Sequence, residues 1–384
     1  MAKVATPTLP KTLKEKIFET FDYLHQNPEL SWGEIETTKY VTQILKDAGC
    51  HQVVTFDDCT GVIGDIGDFS GNRPIIAIRA DMDALHQEVN GKMQANHSCG
   101  HDAHMTMVLG VLWSIQHNEQ LKKQIGIRFI FQPAEEVGAG ALKLVEKGIV
   151  DDVDYLYGIH LRPIQEMAAG YASPAIVHGA TRSIEFKING DDAHGARPHL
   201  TQNAVEIGAY IMNALHSLYF DPNIPHSAKV TRFLAGGKNT NIIPGKASLA
   251  IDMRAQTNEL MDAMHTTVLD IIKNAKEIYQ TNIEITNDYG IVAAESSEGA
   301  QEFAAKAIEN VLGSKKLTPP VITPGGDDFH FYKVNKPHLK ATMIGLGCDL
   351  APGLHHPYMH FEIDSLLNGI GIFNEILNLH GLQD

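Results

Sequence analysis

Pro74-Ile75-Ile76-Ala77-Ile78-Arg79-Ala80-Asp81-Met82-Asp83 is the stretch from which the fold can be read. Its first half is a short, unbroken apolar run, the pattern of a strand covered on both faces. Its second half ends in charged side chains. The same grammar returns twice. Residues 125–131 are mostly apolar and lead into Gln132-Pro133-Ala134-Glu135-Glu136, and residues 155–159 lead into His160. Helical patterns at 105–115 and 139–145 lie between them. Strands alternating with helices imply βαβ units, so the expected class is α/β, a mostly parallel mixed sheet with helices on both faces. In open sheets of this kind ligands gather beyond the carboxyl ends of the strands. Three strands therefore deliver carboxylates or an imidazole to one edge.

Towards the N-terminus, Leu13, Ile17, Phe21 and Leu24 recur at helical spacing, and the helix should stop near Asn27-Pro28. Ser31-Trp32-Gly33-Glu34 reads as a capping box, Ser31 at the N-cap and Glu34 at N3, opening a helix that ends at Gly49. Short strands are expected at 53–56 and 62–66. From about residue 181 the pattern changes. Ile184, Phe186 and Ile188 alternate as in a half-exposed strand, and Ala204, Ile207, Ile211, Ala214, Leu215 and Leu218 mark a helix. Strands at 228–234 and 247–254, a helix from Leu260 to Ile278 and a strand at 282–286 complete a βαββαβ order, that of a ferredoxin-like α+β unit. Helix–strand patterns resume after about Ala293. The expected organisation is a discontinuous domain, 1–180 and 292–384, interrupted by an inserted domain at 181–291.

Composition narrows the function classes. A chain of 384 residues suits two domains, and 43% hydrophobic with 20% charged residues is ordinary for a globular protein. A formal net charge of -15 argues against nucleic acid or an anionic membrane as the main partner. Cys50, Cys59, Cys99 and Cys348 form no CxxC pair, which suits a reducing compartment. Met1-Ala2-Lys3-Val4-Ala5-Thr6 leads into a charged helix rather than an apolar signal core, and no apolar run is long enough to span a bilayer. A cytoplasmic location is expected.

The chemistry concentrates in Asn96-His97-Ser98-Cys99-Gly100-His101-Asp102-Ala103-His104. Three imidazoles, a thiol and a carboxylate suit a borderline-soft divalent metal. A polar loop around a buried cysteine is the plain alternative. Glu135-Glu136 reads equally as an acidic pair favoured by a helix N-terminus, and His160 alone as a core histidine. Pro324-Gly325-Gly326-Asp327-Asp328-Phe329-His330 and Gly353-Leu354-His355-His356-Pro357-Tyr358-Met359-His360 are turns unless they join a larger site.

Taken in order, these clusters resemble the metallo-aminoacylase/carboxypeptidase family, closest to its amidohydrolase branch of hippurate hydrolases, indole-acetyl-amino-acid hydrolases and N-acetyl-diaminopimelate deacetylases. The resemblance runs from His25-Gln26-Asn27-Pro28-Glu29-Leu30 to His355-His356-Pro357. It includes Ala80-Asp81-Met82-Asp83-Ala84-Leu85, His97-Ser98-Cys99-Gly100-His101-Asp102, the Gln132–Glu136 stretch, and Gly158-Ile159-His160 with Pro163. It implies a zinc-exopeptidase-like catalytic domain with an inserted lid that also serves dimerisation.

The same resemblance implies two divalent metal ions per chain (Zn, Mn, Co or Ni). Cys99 would be the bridging thiolate, Glu136 and His355 would complete one metal, and His101 and His160 the other. Glu135 matches the general base and Asp83 a carboxylate that orients ligands. His194 matches a lid histidine that supports the oxyanion. Asn241 and Arg254 match the pair that meets a substrate carboxylate, although Arg254 also reads as a surface residue on a strand. His199 fits the branch pattern without an assigned role. His86, Val137, His356, Met359 and His360 depart from the family pattern, and His356 leaves two imidazoles for one ligand position. The implied reaction is cleavage of N-acyl amino acids to a carboxylate and a free amino acid. The implied partners are that small molecule and a second copy of the chain, with no nucleic acid and no membrane. The rivals are a dipeptidase or carboxypeptidase with the same apparatus, a cysteine hydrolase using Cys99, and a non-catalytic binding protein.

Overall fold

A computed structural model describes residues 11–382. The segment Met1-Ala2-Lys3-Val4-Ala5-Thr6 lies outside the described residues. The chain divides into two compact units, one built from the residues up to Val177, Glu295–Ile322 and the chain from Asp327 onward. The other is His178–Ala294 with Thr323–Gly326.

The first unit is built on a seven-stranded sheet. Its spatial order is Gln52–Thr55, Val62–Gly67, Gly126–Gln132, Ile75–Asp81, Tyr155–Pro163, Lys340–Leu350, Ala172–Ser173. The four central strands from Gly126–Gln132 to Lys340–Leu350 run parallel, and the edges are antiparallel. Every residue of Ile75–Asp81 is buried, which is why its apolar run does not alternate. The helix His101–Ile115 is buried almost throughout, and its apolar side chains share one core with Lys11–Gln26, Glu298–Leu312 and Ser365–Gly381. Each large aliphatic side chain in that core contributes roughly 1.5–3 kcal/mol relative to exposure.

Two local expectations change, and one element was not anticipated. Ser31 does not cap a helix. The helix is Ile35–Asp47, with Glu34 at its N-cap. Its free amides at Glu36 and Thr37 donate to the Glu29 carboxylate at 3.1 and 2.8 Å. Ser31 instead donates to Asp83 at 2.6 Å, a stronger charge-assisted bond than a neutral cap. Between Asp83 and His97 lies a hairpin, Leu85–Val89 with Lys92–Asn96, closed by Asn90 and Gly91 at φ 52° and 78°. That Asn-Gly pair is the sequence signal for a two-residue hairpin turn. His160 sits inside the strand Tyr155–Pro163 rather than beyond its end.

The second unit is a four-stranded antiparallel sheet in the order His226–Ala235, Ala247–Ala255, Ala180–Asn189, Asn282–Ile291. With helices Ala204–Leu215 and Asn258–Ile278 it forms the βαββαβ ferredoxin-like arrangement. Asn203 accepts from the Val205 amide and Thr257 from the Leu260 amide, so both helices begin on side-chain caps. Ile184, Phe186, Ile188, Leu249, Ile251 and Met253 pack under those helices in a core of their own. A two-residue pairing of Ala193–His194 with Ile242–Ile243 lies outside the main sheet. Among the described residues no helix is long and apolar enough to cross a membrane.

Candidate active site

The strand Ile75–Asp81 ends where the chain turns into Asp83, and the hairpin returns it to Cys99-Gly100-His101. Gly100 is the N-cap of the buried helix and has φ 89°, a left-handed geometry that favours glycine. A Cβ there would lie 3.0 Å from Leu161 Cδ1. This tight turn places Cys99 and His101 on either side of a glycine and faces both inward.

Four strand ends and loops then bring their side chains together. Cys99 Sγ lies 3.5 Å from His160 Nε2. His160 Nδ1 donates to its neighbouring Leu161 carbonyl at 2.7 Å, which leaves the Nε2 lone pair facing the thiol. His101 Nδ1 donates to the Asp83 carbonyl at 2.8 Å, so in the neutral ring Nε2 is likewise the acceptor. That Nε2 lies 3.8 Å from both Glu135 Oε2 and Glu136 Oε1. Glu136 Oε2 lies 3.6 Å from His355 Nε2. It is His355, at a left-handed φ of 63°, that meets Glu136. The His356 ring instead accepts from the Tyr358 amide.

These atoms form two overlapping groups, Cys99–His101–His160 and Cys99–Glu136–His355, and within each the donor atoms lie within 4.8 Å of one another. His101 Nε2 and Glu136 Oε1 are buried and have no hydrogen-bond partner. Orphaned buried acceptors of this kind cost about 1–3 kcal/mol each unless something positive engages them. Burial pushes Glu136 up to about 7, and burial with Glu136 alongside drives the Cys99 thiol well above its ordinary value. Both are shifts that a bound cation reverses. The donor set of one sulfur, three imidazoles and a carboxylate therefore fits two divalent ions sharing Cys99.

Around this cluster lies a layer of which only Asp83 was expected. Asp83 accepts from the Glu135 and Glu136 amides at 3.1 and 3.0 Å. His104, although close by, is committed: Nδ1 donates to Asp81 at 2.7 Å and Nε2 accepts from the Leu161 amide at 3.1 Å. Arg79 is fully buried, paired with Asp81 and with Asp328 at 2.9 Å, and donates to Gln132. Asp328 also accepts from Gln132 and from the Ala141 amide, joining the turn after Gln132 to the helix Gly140–Glu146. Asp327 and Asp328 were read as part of a turn. Their acidic pair was the signal, but its partner lies 249 residues away. Burial, with Asp327, Glu136 and Asp328 nearby, raises Glu135 well above the usual carboxylate range.

The other candidates belong to the second unit. His194 is exposed, and its Nδ1 accepts from the Ala196 amide at 3.0 Å. Asn241 is exposed and its carbonyl accepts from the Gly195 amide. Arg254 is half-buried, with its guanidinium forked onto Asp252 at 2.9 and 3.0 Å. His199 is exposed on the short turn Pro198–Leu200, and His86 is exposed on the hairpin.

The family described as peptidase family M20/M25/M40 matches residues 77–379. An N-acyl-L-amino acid amidohydrolase from Geobacillus stearothermophilus is 33% identical over 76% of this chain and 80% of its own. An N-acetyl-L-cysteine deacetylase from Bacillus subtilis is 28% identical over 94% of this chain and 86% of its own. Among solved structures, a dinuclear metal-binding peptidase from Bacillus subtilis superposes with a TM-score of 0.77 at 25% identity, covering 96% of this chain and 99% of that one.

Proposed function

The chain belongs to peptidase family M20/M25/M40, and we propose that it is a binuclear metal-dependent amidohydrolase that cleaves N-acyl amino acids to a carboxylate and a free amino acid. One observation carries the reading: the two donor groups share Cys99, and a buried acceptor in each, His101 Nε2 and Glu136 Oε1, lacks a partner. The named activities of the amidohydrolase and deacetylase relatives supply the substrate class.

In this reading Cys99, Glu136 and His355 would hold one ion, and Cys99, His101 and His160 the other. When bound, the ions polarise the amide carbonyl and acidify a water. Glu135 takes the proton from the attacking water on a carboxylate oxygen and delivers it to the departing nitrogen. Asp83 positions the turn through its two amide contacts and orients His101 through its backbone carbonyl. His194 donates to the developing oxyanion, and Asn241 and Arg254 meet the substrate carboxylate. For Arg254 that contact competes with Asp252. The second unit acts as the lid and as the surface for a homodimer.

Chelation tests the reading. Activity on a panel of N-acyl amino acids should disappear with chelator and return with Zn²⁺, Mn²⁺, Co²⁺ or Ni²⁺, at about two ions per chain. A metal-free preparation that stays active would point to Cys99 as a nucleophile instead. Preference for dipeptides over N-acyl amino acids would establish the dipeptidase.

A further inference from the structure

The turn that carries Glu135 adopts a backbone its residues do not favour. Ala134 has φ 52°, in the left-handed region where a Cβ crowds the chain. Nearby, Gly140 approaches Pro133 so closely that a Cβ would lie 1.6 Å from the Pro133 carbonyl oxygen. Bonds within the turn, from Gly138 to the Glu135 carbonyl and from Ala139 and Gly140 to the Ala134 carbonyl, are joined by others from outside it. The Glu135 and Glu136 amides donate to Asp83. The Ala134 amide, at the strained residue itself, donates at 2.8 Å to Glu34 Oε1.

Glu34 is 0% exposed, and it enters none of the chemistry above. Its second oxygen, Oε2, accepts from Thr60 Oγ1 at 2.6 Å. A carboxylate buried among apolar side chains is costly unless donors engage it. Here one oxygen engages the Ala134 amide and the other the Thr60 hydroxyl. Glu34 also starts the helix Ile35–Asp47, so the carboxylate stands on a rigid element 100 residues from the amide it holds.

We propose that Glu34, held by Thr60, is a positioning residue that fixes the Ala134 amide and so sets the direction in which Glu135 presents its carboxylate. The proposal rests on Glu135 being the general base. The side chain of Glu135 leaves the backbone one residue after the held amide, so slack at Ala134 becomes misalignment at the reacting proton. A misplacement of about 1 Å costs on the order of 10²-fold in rate.

Four variants test it: Glu34→Ala, Glu34→Gln, Thr60→Val and the double Glu34→Ala/Thr60→Val. The measurements are kcat and KM separately, metal content, and hydrogen exchange at the Ala134 amide. Glu34→Ala should lower kcat about 10–10²-fold, leave KM within about twofold and metal content unchanged, and speed Ala134 exchange. Glu34→Gln keeps an acceptor for the amide and should recover most of kcat. Thr60→Val should act in the same direction but less. The double variant should be no worse than Glu34→Ala, because Thr60 acts through Glu34.

Wild-type kcat in Glu34→Ala overturns the proposal, as does a kcat loss that follows metal loss while Ala134 exchange stays slow. Additive losses in the double variant overturn the coupling. Should Glu34→Ala fail to fold, Thr60→Val decides, and wild-type kcat with wild-type Ala134 exchange in that variant sinks the proposal. If wild-type protein hydrolyses no N-acyl amino acid, the proposed substrate class fails. The exchange measurement needs no substrate and still decides whether Glu34 holds the turn.

Discussion

The two units handle polar side chains in opposite ways. In the first, Asp81, Asp83, His101, Glu135 and His160 are buried, and each has a defined neighbour. In the second, His194 and Asn241 are exposed, and Arg254 lies at a half-buried ion pair. Leaving a buried polar group unpartnered is costly, so packing selects one geometry for the first set. The second set is open to water, so its bonds to Ala196 and Asp252 can be exchanged for solvent at little cost. Substitutions in the first unit should therefore disturb structure and chemistry together. Those in the second should alter catalysis while sparing stability.

The sharpest way to break this contrast is Arg79→Met. It removes the guanidinium from a buried set that includes Asp81, Asp327 and Asp328. Breaking a buried pair from one side costs about 3–5 kcal/mol, to be read by urea unfolding. Wild-type stability would mean that those carboxyls need no cation. His194→Ala should come next, lowering kcat about 10²–10³-fold for every substrate with little change in unfolding midpoint, the behaviour of a lost oxyanion donor. For Arg254→Ala the expected loss is about 10–10²-fold in kcat/KM for an N-acyl amino acid, and much less for the matching amide without a carboxylate. Its stability should move by less than about 1 kcal/mol, because the Asp252 pair is only half-buried and remains open to solvent. Equal losses on the two substrates would remove the carboxylate role.

The pattern read from Pro74–Asp83 and its two repeats was enough for the sheet, because buried parallel strands advertise themselves as unbroken apolar runs. The inserted unit was legible for a similar reason, since its strands alternate and its helices follow a 3.6-residue period. What escaped was non-local. Ser31 resembled a helix cap, yet its partner is Asp83, 52 positions on. Glu34 looked like the third residue of a capping box, yet it reaches Ala134. Arg79 read as the end of a strand, and nothing near it in sequence announces Asp328. Charged partners brought together by topology leave no periodic trace. The ordered motifs Cys99–His101, Glu135–Glu136, His160 and His355 could be aligned by resemblance, whereas most of the layer behind them is joined only by the fold.

A smaller, pH-dependent effect extends the contrast. His380 is buried, stacked on Phe303 at 3.9 Å, with Tyr157 Oη 2.8 Å from its Nε2. Burial pushes its pKa down to about 3. The unfolded chain takes up a proton there below about 6.5 and the folded chain does not, so stability falls as pH drops from above 6.5 towards 3. His380→Gln should remove about 2 kcal/mol of the stability change between pH 7 and pH 5. Parallel stability–pH curves for the two proteins would contradict the burial of a neutral imidazole.

The most direct test of the central claim compares two adjacent carboxylates, Glu135 and Glu136, by metal content and turnover on the same preparations. Glu135→Gln should keep about two ions per chain and lose turnover about 10²–10⁴-fold, as expected for a positioned acid–base group. Glu136→Ala should lose metal together with activity. Near-normal turnover in Glu135→Gln, or full metal content in Glu136→Ala, would contradict the account.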